Sequence, residues 1–331
     1  MKFNKKSKIL GMFILGAVIL VTSAFADIAL GSGYYNLKTS MKTTASKLTD
    51  DVDNFSVDVI VTTKVDGKTF AESTSNMKYD IKNKAREESG TDLQKGKITE
   101  NYSYHDENQR IYKNFEDGSY NVVEIQKSRK NDSRIIENPF EEEQAIDAEK
   151  IMDAFVGGLE NVIQIEESDN KKIYIGNISD KEIPSLVNAI SSFAFKYTIL
   201  DEWTVERLNV PSPKSNIYVK NASGKAIENE EGILESGIFT ASMSAKDSKG
   251  TEHIYTVEFS IDIKDINNTV VAAPNLDGKE VSYTKEGFEF DEKFIGKYKN
   301  NIVEVEDNSF VKRGERIFEI TSVEKGNVKG R

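Results

Sequence analysis

The stretch Phe55 to Ile81 constrains this chain most, because it carries two long alternating segments joined by a glycine turn. On the first arm Phe55, Val57, Val59, Val61, Thr63 and Val65 share one face, while Ser56, Asp58, Thr62 and Lys64 share the other, with Ile60 out of place. The second arm puts Met77, Tyr79 and Ile81 on one parity. A two-residue Asp66-Gly67 loop would pair Val65 with Lys68 and set Val61 opposite Glu72, mixing the faces. A three-residue loop, Val65-Asp66-Gly67, sets Phe55 opposite Met77 and Val57 opposite Ser75 and keeps the apolar face whole, so that register is expected. A lone hairpin is marginal in water. More strands and a cover must follow.

The rest of the chain supplies both. From Gly33 to Leu48 the positions Tyr34, Leu37, Met41, Ala45 and Leu48 recur at helical steps, which predicts an amphipathic helix with Lys38, Lys42 and Lys47 on its polar face. Tyr102 and Tyr104 begin an alternation that returns through Tyr112, Tyr120 and Val122. The turns Asp106-Glu107-Asn108, Glu116-Asp117-Gly118 and Ser248-Lys249-Gly250 end in Gly or Asn, which tolerate a left-handed conformation. As three-residue loops they place Tyr102 opposite Tyr112, and Ala245, Met243, Ala241 and Phe239 opposite His253, Tyr255, Val257 and Phe259. The middle changes period. Ala145 to Leu159 and Ser179 to Phe193 predict two helices, the second behind a capping box, with strands at Val162 to Glu166 and Lys172 to Ile178 between them. Asn209 to Pro213 is a loop. His253 to Ile263 is the longest clean alternation, and after Pro274 the chain turns polar, with a last pair of short strands over Ile302 to Val323.

The N-terminus has Lys2, Lys5, Lys6 and Lys8, then 18 uncharged residues from Ile9 to Ala26 that end in Ala24-Phe25-Ala26. That is the layout of a secretory signal peptide, or of an N-terminal anchor if residues 9–26 stay attached. Either way the remainder is expected outside the cytoplasm. Taking the leader's four lysines from a net charge of -11 leaves -15, so nucleic acid is not an expected partner. With no cysteine there is no disulfide framework, and stability must come from an ordinary core.

Chemistry is sparse. Of two histidines, His105 stands beside a predicted surface turn and His253 begins the apolar face of a strand. A hydrolase would need one of them to converge with acids in a cleft, and no serine, histidine and acid share a known spacing. Asp50-Asp51-Val52-Asp53 matches only the start of a calcium loop and reads as a helix-to-strand connection. Glu141-Glu142-Glu143 and Glu228-Asn229-Glu230-Glu231 are acid runs of the kind that diverge into solvent. No cofactor or metal is implied.

The order of elements over about residues 33–266 (helix, antiparallel meander, two helices, long antiparallel strands) resembles the LolA/LppX-type lipoprotein-carrier superfamily, shared by RseB-type envelope sensors, although the lipobox cysteine is missing. The resemblance implies an α+β fold in which a large curved antiparallel sheet, an open half-barrel, wraps several helices. It implies that Val57, Val59, Met77, Tyr79, Tyr255, Val257 and Phe259 line a concave face that holds a lipid or other amphiphile. The alternative is that these side chains meet the helices and fill a dry core. Three parts are expected: the leader 1–26, a single domain 27–273, and an extension 274–331. Two non-enzymatic roles follow, an exported binding protein or a membrane-tethered module that contacts another envelope protein.

Overall fold

The computed structural model describes residues 32–94, 96–125, 135–141, 146, 163–181, 183, 185, 188–189, 192, 205, 210–285, 294–306, 309–324 and 327–331. The leader lies outside them, as do most of the two helices expected over 145–159 and 179–193, where Ile146, Ser185, Asn188, Ala189 and Ser192 are helical. The first helix, α1 (Ser32–Ser46), passes into a π turn at Lys47–Asp51. Then come β1 (Asn54–Val65), β2 (Lys68–Asp80), β3 (Ala85–Gln94), β4 (Lys97–His105), β5 (Gln109–Lys113) and β6 (Tyr120–Glu124). After a 3-10 turn at Pro139–Glu141 the order is β7 (Ile163–Ser168), β8 (Lys171–Ser179), β9 (Ser215–Glu228), β10 (Leu234–Lys246), β11 (Glu252–Lys264) and β12 (Val281–Lys285). Three strands end the chain, β13 (Gly296–Glu306), β14 (Ser309–Glu324) and β15 (Asn327–Gly330).

Among the described residues twelve strands form one sheet in the order β12-β6-β5-β4-β3-β2-β1-β11-β10-β9-β8-β7, so the meander β1–β6 and the strands β7–β11 join through β1 and β11. The sheet is open. It is also mixed rather than purely antiparallel, because β12 runs parallel to β6. β12 carries the large sheet past residue 273, whereas β13–β15 form a separate sheet of longer strands than the short pair expected.

The β10–β11 register is as expected, with Ala245, Met243, Ala241 and Phe239 facing His253, Tyr255, Val257 and Phe259. The first hairpin is not. Its turn is the two-residue Asp66-Gly67, with positive φ at both (50° and 77°), the primed turn that matches strand twist. Face mixing is avoided by a bulge. Lys64 pairs with Thr69 but Thr63 with Ala71, so Phe70 is an extra residue that restores parity. Phe55 therefore faces Tyr79, and Val57 faces Met77. In β4–β5 the Asp106 carboxylate accepts the backbone N–H groups of Asn108 and Gln109 at 2.7 and 2.9 Å, making an even-length turn. Tyr112 then pairs with Ser103 rather than Tyr102, and Ile111 with Tyr104.

α1 lies across one face of the sheet. Gly33 is pressed on β7, where an added Cβ would sit 2.0 Å from the Ile163 carbonyl oxygen. Tyr34 and Leu37 pack with Tyr174, Ala226, Phe239 and Phe259, and Leu48 packs with Phe55, Val57, Met77, Tyr79 and Ile263. Helix and π turn together are roughly 28 Å long at 1.5 Å per residue. The six strand gaps from β7 to β2 span roughly 29 Å. Leu48, in the π turn, reaches Met77 and Tyr79 of β2.

Candidate functional site

The seven residues expected to line the concave face do share one face. Val57 lies between Met77 and Ile263, Val59 opposite Ile261, and Val257 and Tyr255 opposite Thr63 and Val65. All except the half-buried Val59 are buried. They divide among three neighbouring clusters, one of which sets Val205 and Val219 beside Tyr255 and Val257. Tyr255 donates its hydroxyl proton to the Pro211 carbonyl at 2.8 Å, and Asn188 and Ser192 reach the backbone of Val219 and Ile217. Helical and loop segments thus cover this end as α1 covers the centre.

Past β2 the same face changes character. Tyr79 pairs with Arg86, Arg86 with His105, and His105 with Arg110, so these three basic residues continue the row that begins at Phe55. In the next row Met77 leads to Glu88, Ser103, Tyr112 and Asn121, and in the one after, Val59 leads to Ser75, Gly90 and Asn101. Most apolar residues of β3–β6 point the other way, although Tyr112 and Val123, the latter paired with Arg110, stay on the α1 face. Ala85, Tyr104, Ile111 and Val122 form a cluster on the reverse of the sheet, closed by Val271, Leu276 and Val281. The apolar side of the sheet therefore changes between β2 and β3, and the apolar face that the resemblance implies does not continue onto β3–β6. Gly90 marks the change, since a Cβ there would lie 2.0 Å from the Thr74 carbonyl oxygen.

Two polar constructions flank the apolar half. Under α1, Glu228 is 6% exposed and accepts hydrogen bonds from Ser40, from Tyr174 at 2.7 Å and from Lys172 at 3.0 Å. Burial would raise its pKa, but these bonds outweigh it and hold the carboxyl below its ordinary value. The first residue of that acid run is thus internal, not solvated. At the turns, His253 Nδ1 lies 2.8 Å from Asp66 and Nε2 3.5 Å from Asp247. The Asp66 bond above all raises the imidazole's pKa. Nδ1 is the hydrogen-bonded nitrogen, and Nε2 faces Asp247 without a hydrogen bond. The two carboxylates sit on opposite ring edges and do not converge on a common ion. Among the described residues no group of three metal-ligating side chains forms.

No protein-family model matches the chain, and no curated protein matches it. Among solved structures it is similar to an uncharacterized conserved protein from Thermus thermophilus, at 7% identity over 75% of this chain and 99% of that one, with a TM-score of 0.26. It is similar to lipovitellin at 10% identity over 68% of this chain and 26% of that one, with a TM-score of 0.24. It is also similar to a LolA superfamily protein from Nitrosomonas europaea at 9% identity, over 71% of this chain and 94% of that one, with a TM-score of 0.20.

Proposed function

We propose that this chain is a non-catalytic binding protein, exported through its N-terminal segment, that holds an amphiphile on the α1 face of the large sheet. One observation carries the reading: a single continuous face is apolar and helix-covered from β7 to β2 and polar from β3 to β6. Such a face matches a molecule with an acyl part and a head. The seven residues from Val57 to Phe259 are the acyl-contacting set, reached when α1 shifts. Solvent extraction of the purified protein followed by mass spectrometry, with displacement of a fluorescent fatty acid, tests it. Acyl-bearing species and saturable displacement are expected; neither appearing would refute it.

A second reading, an interaction module tethered by residues 9–26, is favoured by the C-terminal sheet. Phe310 and Ile317 are 79% and 67% exposed there, in a sheet with only three members. A stable envelope-protein complex lost on truncation at residue 294, with no lipid in the extract, would select it. Among the described residues no helix is long and apolar enough to cross a membrane.

A further inference from the structure

We infer that Arg86, His105 and Arg110 seat the anionic head group, phosphate or carboxylate, of the bound amphiphile. This rests on the binding reading above and adds the charge of the ligand. The three residues are directly paired neighbours on β3, β4 and β5, so their side chains rise about 5 Å apart from one face. They stand at the edge of the apolar half, since Arg86 is paired with Tyr79 and Tyr79 with Phe55, whose rings stack at 5.0 Å. Burial raises the pKa of the Tyr79 phenol, and the Arg86 charge acts against it, which puts the guanidinium near the ring.

The setting suits an anion. All three basic residues are half-buried, so a head group among them is partly withdrawn from water and charge-assisted bonds to it gain strength. No carboxylate among the described residues lies within ion-pair distance of Arg86, whereas His105 and Arg110 already have partners, so Arg86 is the leading contact. The adjoining row adds the hydroxyls of Ser103 and Tyr112 and the amide of Asn121, against one carboxylate, Glu88. In a chain of net charge -11, three basic residues in line where an apolar face turns polar select the head group and orient the tail toward α1.

The test is titration of the full chain with three twelve-carbon amphiphiles: dodecyl phosphate, laurate and the neutral monolaurin. At least one anion is expected to bind about tenfold more tightly than monolaurin, and which one it is tells phosphate from carboxylate. That preference should shrink as salt rises from roughly 0.05 to 0.5 M. Arg86→Gln and Arg110→Gln should each reduce it about fivefold, and Arg86→Lys should keep most of it. Lys78→Gln makes the same charge change on the other face, where Lys78 pairs with Glu87 at 3.2 Å, and should have no effect. Equal affinity for all three, or an equal loss in Lys78→Gln, overturns the head-group seat and leaves amphiphile binding standing. Binding of none overturns both.

Discussion

Glu228 carries more of the fold than any neighbouring acid, because Ser40 of α1, Tyr174 of β8 and Lys172 all direct hydrogen bonds at one buried carboxylate. Glu228→Ala removes the acceptor of the Tyr174 hydroxyl and the partner of Lys172, while Ser40 keeps the Asn36 carbonyl at 2.9 Å, and should cost about 1–3 kcal/mol in urea unfolding, against about 1 kcal/mol for Tyr174→Phe. Since the folded pKa is depressed, this stabilisation is present above the ordinary carboxylate value and is lost as pH falls through the lower folded one. The acid run around Glu228 reads as solvated, yet Ala222, Gly224, Ala226 and Glu228 share one parity, and small residues on one face are the signal of a close cover. Gly90 is a second such position. Gly90→Ala forces a Cβ onto the Thr74 carbonyl and should cost about 1–3 kcal/mol or more. Gly67→Ala, with open space around it, meets only the left-handed backbone cost of about 1–2 kcal/mol.

Elements were legible where alternation and turn agree. β11 and its pairing with β10 follow from the sequence, because the turn Ser248-Lys249-Gly250 forms as a three-residue loop between Asp247 and Thr251. The first hairpin kept its apolar face but shifted by two residues, since the bulge at Phe70 leaves no mark in an apolar-polar pattern. β5 lost its parity to the Asp106 side chain, which captures two backbone N–H groups and shortens the turn. The two turns at the β1–β2 and β10–β11 ends are fastened by His253 between Asp66 and Asp247. Its raised pKa means that this stabilisation is full below about pH 6.5 and disappears as pH rises through the folded value. The two carboxyls are lowered by hydrogen bonds that outweigh burial, so their share is lost only in acid. The melting temperature should therefore fall from about pH 5.5 to about pH 8.5 by a few degrees at most, given the exposed Asp66. His253→Gln should flatten that dependence.

At the scale of the molecule, one sheet joins the meander β1–β6 to the strands β7–β11, and the proposed binding role rests on where its apolar side changes. Alternation shows that a strand has an oily side but not which side of a shared sheet it faces. That is set by register, so the shift in β4–β5 and the reversal between β2 and β3 lay beyond the sequence, and with them the row Arg86–His105–Arg110. That the seven side chains proposed to hold an acyl chain share one face was legible, because β10–β11 pair as their pattern requires and the β1–β2 slip of two residues preserves parity. The chain contains no cysteine, so single cysteines can be labelled cleanly. Ser75 and Thr74 are sequence neighbours on opposite faces, Ser75 beside Gly90 on the α1 face and Thr74 on the reverse with its hydroxyl 2.9 Å from that of Thr91. Environment-sensitive dyes on Ser75→Cys and Thr74→Cys, read as a long-chain fatty acid is added, compare the two faces directly. A saturable blue shift at position 75 with none at position 74 is the predicted result. An equal response at both, or a response at position 74 alone, would contradict it.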